Sequence, residues 1–208
     1  MNLIRKPIEI IRENKKVYIL INVVFYGLIL LCMVITYFFP EWHVHALASA
    51  DKQLSSRWAS AASSAYSSGN LLAAMSLTFI INFAVGSFLT MTLPSFIIPF
   101  SGMLMGLYRA IFWGVLFSPI TPDMRAPMIP HYLTMLIEGQ AYVVAIFAIY
   151  LRGKSFLFPQ NIGIKSRWSG YKHGLIQTAW MYVPMTILLA VAAVYEAFDV
   201  ILLVPLFK

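Results

Sequence analysis

The sequence predicts an all-α fold: a polytopic transmembrane helical bundle of about five spans with its N-terminus in the cytoplasm. Three observations carry this expectation. Of the 208 residues, 60% are hydrophobic and only 11% are charged, whereas an ordinary soluble domain is about half apolar and about a quarter charged. The mean hydropathy is +0.77, and the apolar residues fall in blocks of the length that a bilayer demands, about 20 residues. The basic residues, finally, are distributed unevenly between alternate connections, as cytoplasmic loops require.

Taken in order, residues 1–16 place Ile4, Ile8 and Ile11 at helical spacing among Arg5, Glu9, Arg12 and Lys16. That pattern suits an amphipathic helix lying on the cytoplasmic membrane surface. Residues 17–208 form the transmembrane helical domain, with spans expected at 17–39, 71–93, 95–120, 130–152 and 175–196. The first block is too long for the apolar core of a signal peptide, about 7–15 residues, and the Ala46-Leu47-Ala48 pattern lies well beyond its end. An uncleaved first span is therefore expected. The Ser/Ala-rich stretch 41–70 lacks strand-like alternation and reads as a helical or irregular cap, or else as low-complexity linker. Pro94 is expected to break the chain into a tight hairpin between the second and third spans. The apolar tail after Asp199 is too short for a sixth crossing. It is expected at the outer interface, with Glu196 and Asp199 near headgroup depth.

Orientation follows from counting charges. Arg5, Lys6, Arg12, Lys15 and Lys16 precede the first span, and Arg152, Lys154, Lys165, Arg167 and Lys172 fall in the connection after the fourth. Lys52, Arg57, Arg125 and Lys208 are left for the other side. Ten against four predicts the N-terminus inside and the C-terminus outside.

Helices in lipid associate through small residues and polar contacts, because hiding Leu from lipid gains little. Three spans show such stripes: Thr78, Asn82, Gly86 and Thr90; Gly102, Gly106, Ala110 and Gly114; and His131, Thr134, Glu138, Ala141, Ala145 and Ala148. For the Gly and Ala positions plain helix packing is the simplest account, and for Asn82 an interhelical hydrogen bond. Arg109 and Glu138 are different, since ionisable groups at membrane depth need partners. Counted at about 1.5 Å per residue, both lie slightly to the outer side of the midplane on consecutive helices. Glu138, in the Glu138-Gly139-Gln140 interruption of an apolar block, is therefore expected to be the buried counter-ion of Arg109. The pair is either structural or the lining of a proton, ion or substrate path, to which Asn82 and Glu196 would contribute.

Other chemistries are weakly supported. The net charge of +7 reflects cytoplasmic loops rather than a nucleic-acid surface. Cys32 is the only cysteine, so no internal disulfide or cysteine cluster can form. His43, His45 and His131 are the candidates for a metal, but H-x-H is a short motif and no H-E-x-x-H occurs. No G-x-S-x-G elbow or nucleotide-binding loop is present. The expectation is a non-enzymatic protein without cofactor.

The stretch Arg12–Pro40 (a basic segment, then a first span) resembles the opening of the stage II sporulation protein M (SpoIIM-like) membrane family. "NFAVGSFLTMTLPSFIIPFSGMLMG" is similar to its Asn-and-Gly second span followed by a Gly-x-x-x-Gly third. "EGQAYVVAIFAIYLRG" resembles its glutamate-and-alanine fourth span at Glu138 and Ala141, and "VAAVYEAFDV" its closing segment at Glu196. The chain departs from the family in Ser101-Gly102, where Asn-Gly is usual, and in His131, which stands two turns rather than one before the glutamate. The resemblance implies a scaffold or assembly subunit of a cell-membrane complex, with a part in envelope remodelling. Its partners would be membrane lipids, other membrane or envelope proteins, or further copies of the chain. Sporulation itself is not implied. The alternative is a transporter or channel subunit. The two differ in one feature: a conduction path needs a hydrated cavity reaching Glu138, and a scaffold does not.

Overall fold

The computed structural model describes residues 2–54 and 57–207, with all their side chains except those of residues 2, 51–54 and 57–59. The outer-side assignments of Lys52, Arg57 and Lys208 lie outside the described side chains. Among the described residues there are helices and short connections and no strand. The helices are α1 (Asn2–Glu13), α2 (Lys15–Phe38), α3 (Glu41–Leu54), α4 (Arg57–Ser67), α5 (Leu71–Ile97), α6 (Ser101–Leu116), α7 (Pro122–Leu157) and α8 (Arg167–Phe207).

Four of these, α2, α5, α7 and α8, are long and apolar enough to cross a membrane. The third expected span, 95–120, gives its first three residues to the end of α5 and forms a separate helix only over the 16 residues of α6, about 24 Å at the usual rise. The limits are local. Pro94 does not break the chain, because α5 continues through it to Ile97. The turn falls instead at Ile98–Phe100, where Phe100 takes a positive φ of 69°. Beyond Leu116, Pro119 and Pro122 withhold the backbone N–H groups that a longer helix would need.

α7 is the axis of the bundle. Of its most apolar window 72% is buried, against 28%, 22% and 28% for α2, α5 and α8. Every residue from Ala141 to Ile149 is buried, so the one-sided stripe expected here is in fact a helix enclosed all round. Three glycine faces allow its neighbours to approach so closely. A Cβ on Gly106 would come within 2.5 Å of Ile146, one on Gly170 within 2.0 Å of the Ser155 carbonyl, and one on Gly174 within 2.7 Å of the Arg152 Cα. Gly102 lies as close to the Met91 carbonyl and Gly114 to that of Ile29. With buried Ala110, the small-residue face of α6 is thus spent on contacts inside the chain.

α5 contains a π-helical segment, Ile81–Thr92. Its wider turn changes which residues face inward. The buried positions are Gly86, Ser87, Met91 and Thr92, a spacing of five where the sequence suggests four. The Ser87 hydroxyl accordingly donates to the carbonyl of Asn82. Long π segments are rare and tend to occur at functional sites.

The Ser/Ala-rich stretch is two helices, α3 and α4. Small side chains let α4 lie close: Ala65 is buried with Ala74 of α5 and Ala197 of α8. α1 packs against α8 through Pro7 and Ile10, while Leu3, Ile4 and Ile8 stay exposed. The buried face is therefore not the isoleucine face read from the sequence, and the exposed one is free to enter a membrane interface. On the polar side Glu9 accepts from Arg5 at 2.9 Å and Lys6 at 3.3 Å, and these bonds hold its carboxyl below the usual range.

The glycine contacts make a direct prediction. Gly102→Ala forces a Cβ onto the α5 backbone and should lower stability by about 1–3 kcal/mol, as overpacking does. Gly27, with nothing within 4 Å of an added Cβ, should accept Ala without loss. Unfolding temperatures in detergent measure the difference, and equal values for the two variants would contradict the packing described.

Candidate functional site

A cavity of about 500 Å³ lies between α4, α5, α6, α7 and the end of α8, with Asn82, Arg109, His131, Thr134, Glu138 and Glu196 among its lining residues. Four of the residues singled out in the sequence, Asn82, Arg109, Glu138 and Glu196, therefore share one space. Ala62, Ser63 and Tyr66 of α4 close one side of it.

The Glu138-Gly139-Gln140 interruption resolves into three separate tasks. Glu138, 6% exposed, faces the cavity. Gly139 faces α2, where a Cβ would come within 3.2 Å of Phe25 and Tyr26. Gln140 donates to the Tyr18 hydroxyl, and nearby the Tyr26 hydroxyl donates to the Leu136 carbonyl at 2.8 Å. A polar tripeptide is thus accommodated in an apolar helix, with two of its members tied to α2.

Arg109 and Glu138 do not form the direct ion pair expected from the sequence. Tyr142 stands between them. Its hydroxyl donates to Glu138 Oε1 at 2.8 Å and accepts from Arg109 Nη1. The Arg109 guanidinium also lies 4.2 Å from the centre of the Tyr142 ring, within cation–π range. Trp113 packs edge-on against that ring at 5.5 Å. The reason is geometric. Tyr142 is one helical turn after Glu138 on the same face of α7, and its long side chain fills the space a direct pair would need. A tyrosine in an apolar block reads as an interface anchor, so only its i+4 spacing from Glu138 signalled this role.

Gly86 completes the arrangement. A Cβ there would meet the Tyr142 hydroxyl at 2.9 Å and the Arg109 guanidinium nitrogens at 3.2 Å. The π segment of α5 therefore brings bare backbone against the polar pair. Beside it, the Tyr66 hydroxyl shares a hydrogen bond of 2.7 Å with Thr78.

A second buried pair closes the far side. His131 Nδ1 lies 2.9 Å from Asp199 Oδ2, and Asp199 is fully buried. α8 continues past Phe198 as a π turn, which turns the Asp199 carboxylate inward onto His131 of α7. Glu196 is half-buried and lines the cavity. The tail does not fold back as a further span but extends α8 to Phe207.

The three histidines do not converge. His43 is buried, its Nδ1 3.1 Å from the Val115 carbonyl; His45 is exposed on α3; His131 belongs to the Asp199 pair. Among the described residues no group of three or more His, Cys, Asp or Glu side chains could hold a metal.

Arg152 was counted with a cytoplasmic loop, but α7 runs on to Leu157 and buries it in the bundle at 1% exposure. The readable sign was Gly170-Tyr171-Lys172-His173-Gly174, a Gly-x-x-x-Gly whose glycines seat α8 across Ser155 and Arg152.

Comparison of the chain with family models, with characterised proteins and with solved structures gives no match.

The relay through Tyr142 is testable as a coupling energy. Glu138→Gln and Arg109→Met should each destabilise, by up to about 3–5 kcal/mol where a buried charge is left alone. The double variant should lose less than the sum of the two. In a Tyr142→Phe background the same pair should become nearly additive, because the shared hydroxyl is gone. Unfolding in detergent provides the cycle, and undiminished coupling in that background would show a direct pair instead.

Proposed function

We propose that the chain is a multi-pass membrane protein whose bundle encloses a polar, water-filled site for a small solute or ion, and that it serves as a transporter or channel subunit. The observation that carries this reading is the cavity reaching Glu138. A site with two carboxylates, a guanidinium and a histidine–aspartate pair is costly to bury in a bilayer, and such residues mark solute and proton paths. Thr134 Oγ1 is buried and has no protein partner, and the cavity it lines has room for a water that could supply one beside Glu138 and Arg109. The sequence holds no nucleotide-binding loop, so a driven process would draw on an ion gradient or a separate ATPase.

The scaffold reading rests on the resemblance to the stage II sporulation protein M family. It would place contacts with other proteins on the small-residue stripes or the cap. The stripe on α6 is occupied by α2, α5 and α7, which leaves the exposed parts of α3 and α4 as the surface for such contacts.

The proposed topology counts α6 as a short fifth crossing, with the N-terminus in the cytoplasm of a cell-membrane protein. α1 and the connection between α7 and α8 then share the basic, cytoplasmic side. The cap formed by α3 and α4 lies outside, over the cavity.

One labelling experiment addresses both topology and hydration. In a Cys32→Ser background, single cysteines at Ser63 and Asn82 should react with a membrane-impermeant thiol reagent added outside intact cells. Ser166→Cys should react only after permeabilisation, and Ile149→Cys, 1% exposed, should resist under both conditions. Labelling of position 166 from outside would overturn the topology. An Asn82→Cys as inert as Ile149→Cys would overturn the hydrated cavity.

A further inference from the structure

Arg152 has no partner adequate to its charge. It is the largest fully buried side chain of the described chain. A guanidinium carries five N–H donors and stays charged in proteins. Here Nη2 makes one long bond, 3.4 Å, to the Thr92 carbonyl, and the guanidinium carbon lies 4.2 Å from the centre of the Phe96 ring. Nη1 is buried with no hydrogen-bond partner. The ion pairs of the described residues join Arg5 and Lys6 to Glu9, and His131 to Asp199; none reaches Arg152. The nearest carboxylate along its own helix, Glu138, is 14 positions away, about 21 Å along the axis. A buried cation without a counter-charge is unfavourable.

The orphan guanidinium lines a second pocket. This space, about 360 Å³, is bounded by Ser95 and Phe96 at the end of α5, Arg152 and Gly153 of α7, and Trp168 and Tyr171 of α8. Among the described residues no acidic side chain lines it. Trp168, 64% exposed, stands at its edge and stacks on Tyr171 with ring centres 5.7 Å apart, while Lys172 Nζ lies 5.5 Å from the Trp168 ring. Tyrosine and tryptophan with flanking lysine or arginine mark the headgroup level of a membrane. Arg152 is also held in place: Gly174 of α8 passes so close that a Cβ there would come within 2.9 Å of its Cγ.

We propose that this pocket binds one phosphate group, presented either as the phosphodiester of an anionic lipid headgroup or as free phosphate. The guanidinium fork matches paired phosphate oxygens. The bound anion would neutralise Arg152 and accept from the unsatisfied Nη1. The site lies at the opposite end of α7 from the Glu138 cavity and does not depend on how that cavity functions.

The test uses the full chain in neutral maltoside micelles. Short-chain phosphatidylglycerol is titrated in, with diacylglycerol of the same chains as the phosphate-free control and inorganic phosphate as a third arm. Saturable stabilisation by phosphatidylglycerol alone identifies the lipid source, and stabilisation by inorganic phosphate identifies the free anion. At a hundredfold excess over Kd the unfolding temperature should rise by roughly 5–10 °C for a chain of this size. Arg152→Gln should abolish the rise, and Arg152→Lys should weaken binding at least about tenfold, since an ammonium lacks the fork. Lys16→Gln with Lys165→Gln, which alters only exposed charge away from the pocket lining, should retain it. The proposal is overturned if wild type shows no saturable shift with either phosphate source, if diacylglycerol matches phosphatidylglycerol, or if the exposed-charge variant loses the effect. These wild-type arms decide the matter even if Arg152→Gln fails to fold.

Discussion

Glu138 sits near the middle of α7, just before the stretch Ala141–Ile149 that is buried throughout, and the surrounding structure is arranged around that carboxylate. Desolvating it is unfavourable unless it gains hydrogen bonds and an opposite charge. The Tyr142 hydroxyl supplies the hydrogen bond and passes it on to Arg109. That single oxygen therefore couples α7 to α6. α5 must then approach without a side chain, which Gly86, inside the π segment, permits. Substituting any one of these residues disturbs the positions of the others.

The axis helix buries one charge of each sign, Glu138 and Arg152, and the two are treated differently. Glu138 opens into a space shared with other polar groups, under the cap of α4. Arg152 faces a smaller pocket edged by aromatic residues. α8 accounts for both environments. Its N-terminal glycines, Gly170 and Gly174, clamp Arg152, and its far end brings Glu196 and Asp199 to the cavity side. Between them, Tyr182 bonds Thr92 of α5 at 2.6 Å and links the two ends of the bundle.

What was legible in the sequence follows from which signals are local. Apolar block length located the four long helices, and the Gly102–Gly114 stripe marked the small face of α6. The shared depth of Arg109 and Glu138 followed from the regular rise of a helix. Features that depend on tertiary context were read wrongly or missed. The π segment adds a five-residue spacing, Gly86 to Met91 and Ser87 to Thr92, to the four-residue stripe of Thr78, Asn82 and Gly86 that faces the cavity side. Pro94 looks like a break, yet it lies near the start of an α-helical turn, where a missing N–H costs little. Arg152 looks like one loop charge among five because only the length of α7 reveals its burial. Nothing local in the sequence signals the π turn after Phe198 that directs Asp199 at His131.

Under the proposed function, the Arg109–Tyr142–Glu138 chain lines a path and does more than hold helices together. Proton and monovalent-cation flux into liposomes containing the purified protein tests this most directly, with Arg109→Met plus Glu138→Gln as the comparison, because that variant removes both charges without leaving either one alone. The account predicts flux above that of empty liposomes for the wild type and none for the folded double variant. Equal flux in the two, or wild-type flux no greater than that of empty liposomes for every ion tried, would contradict it.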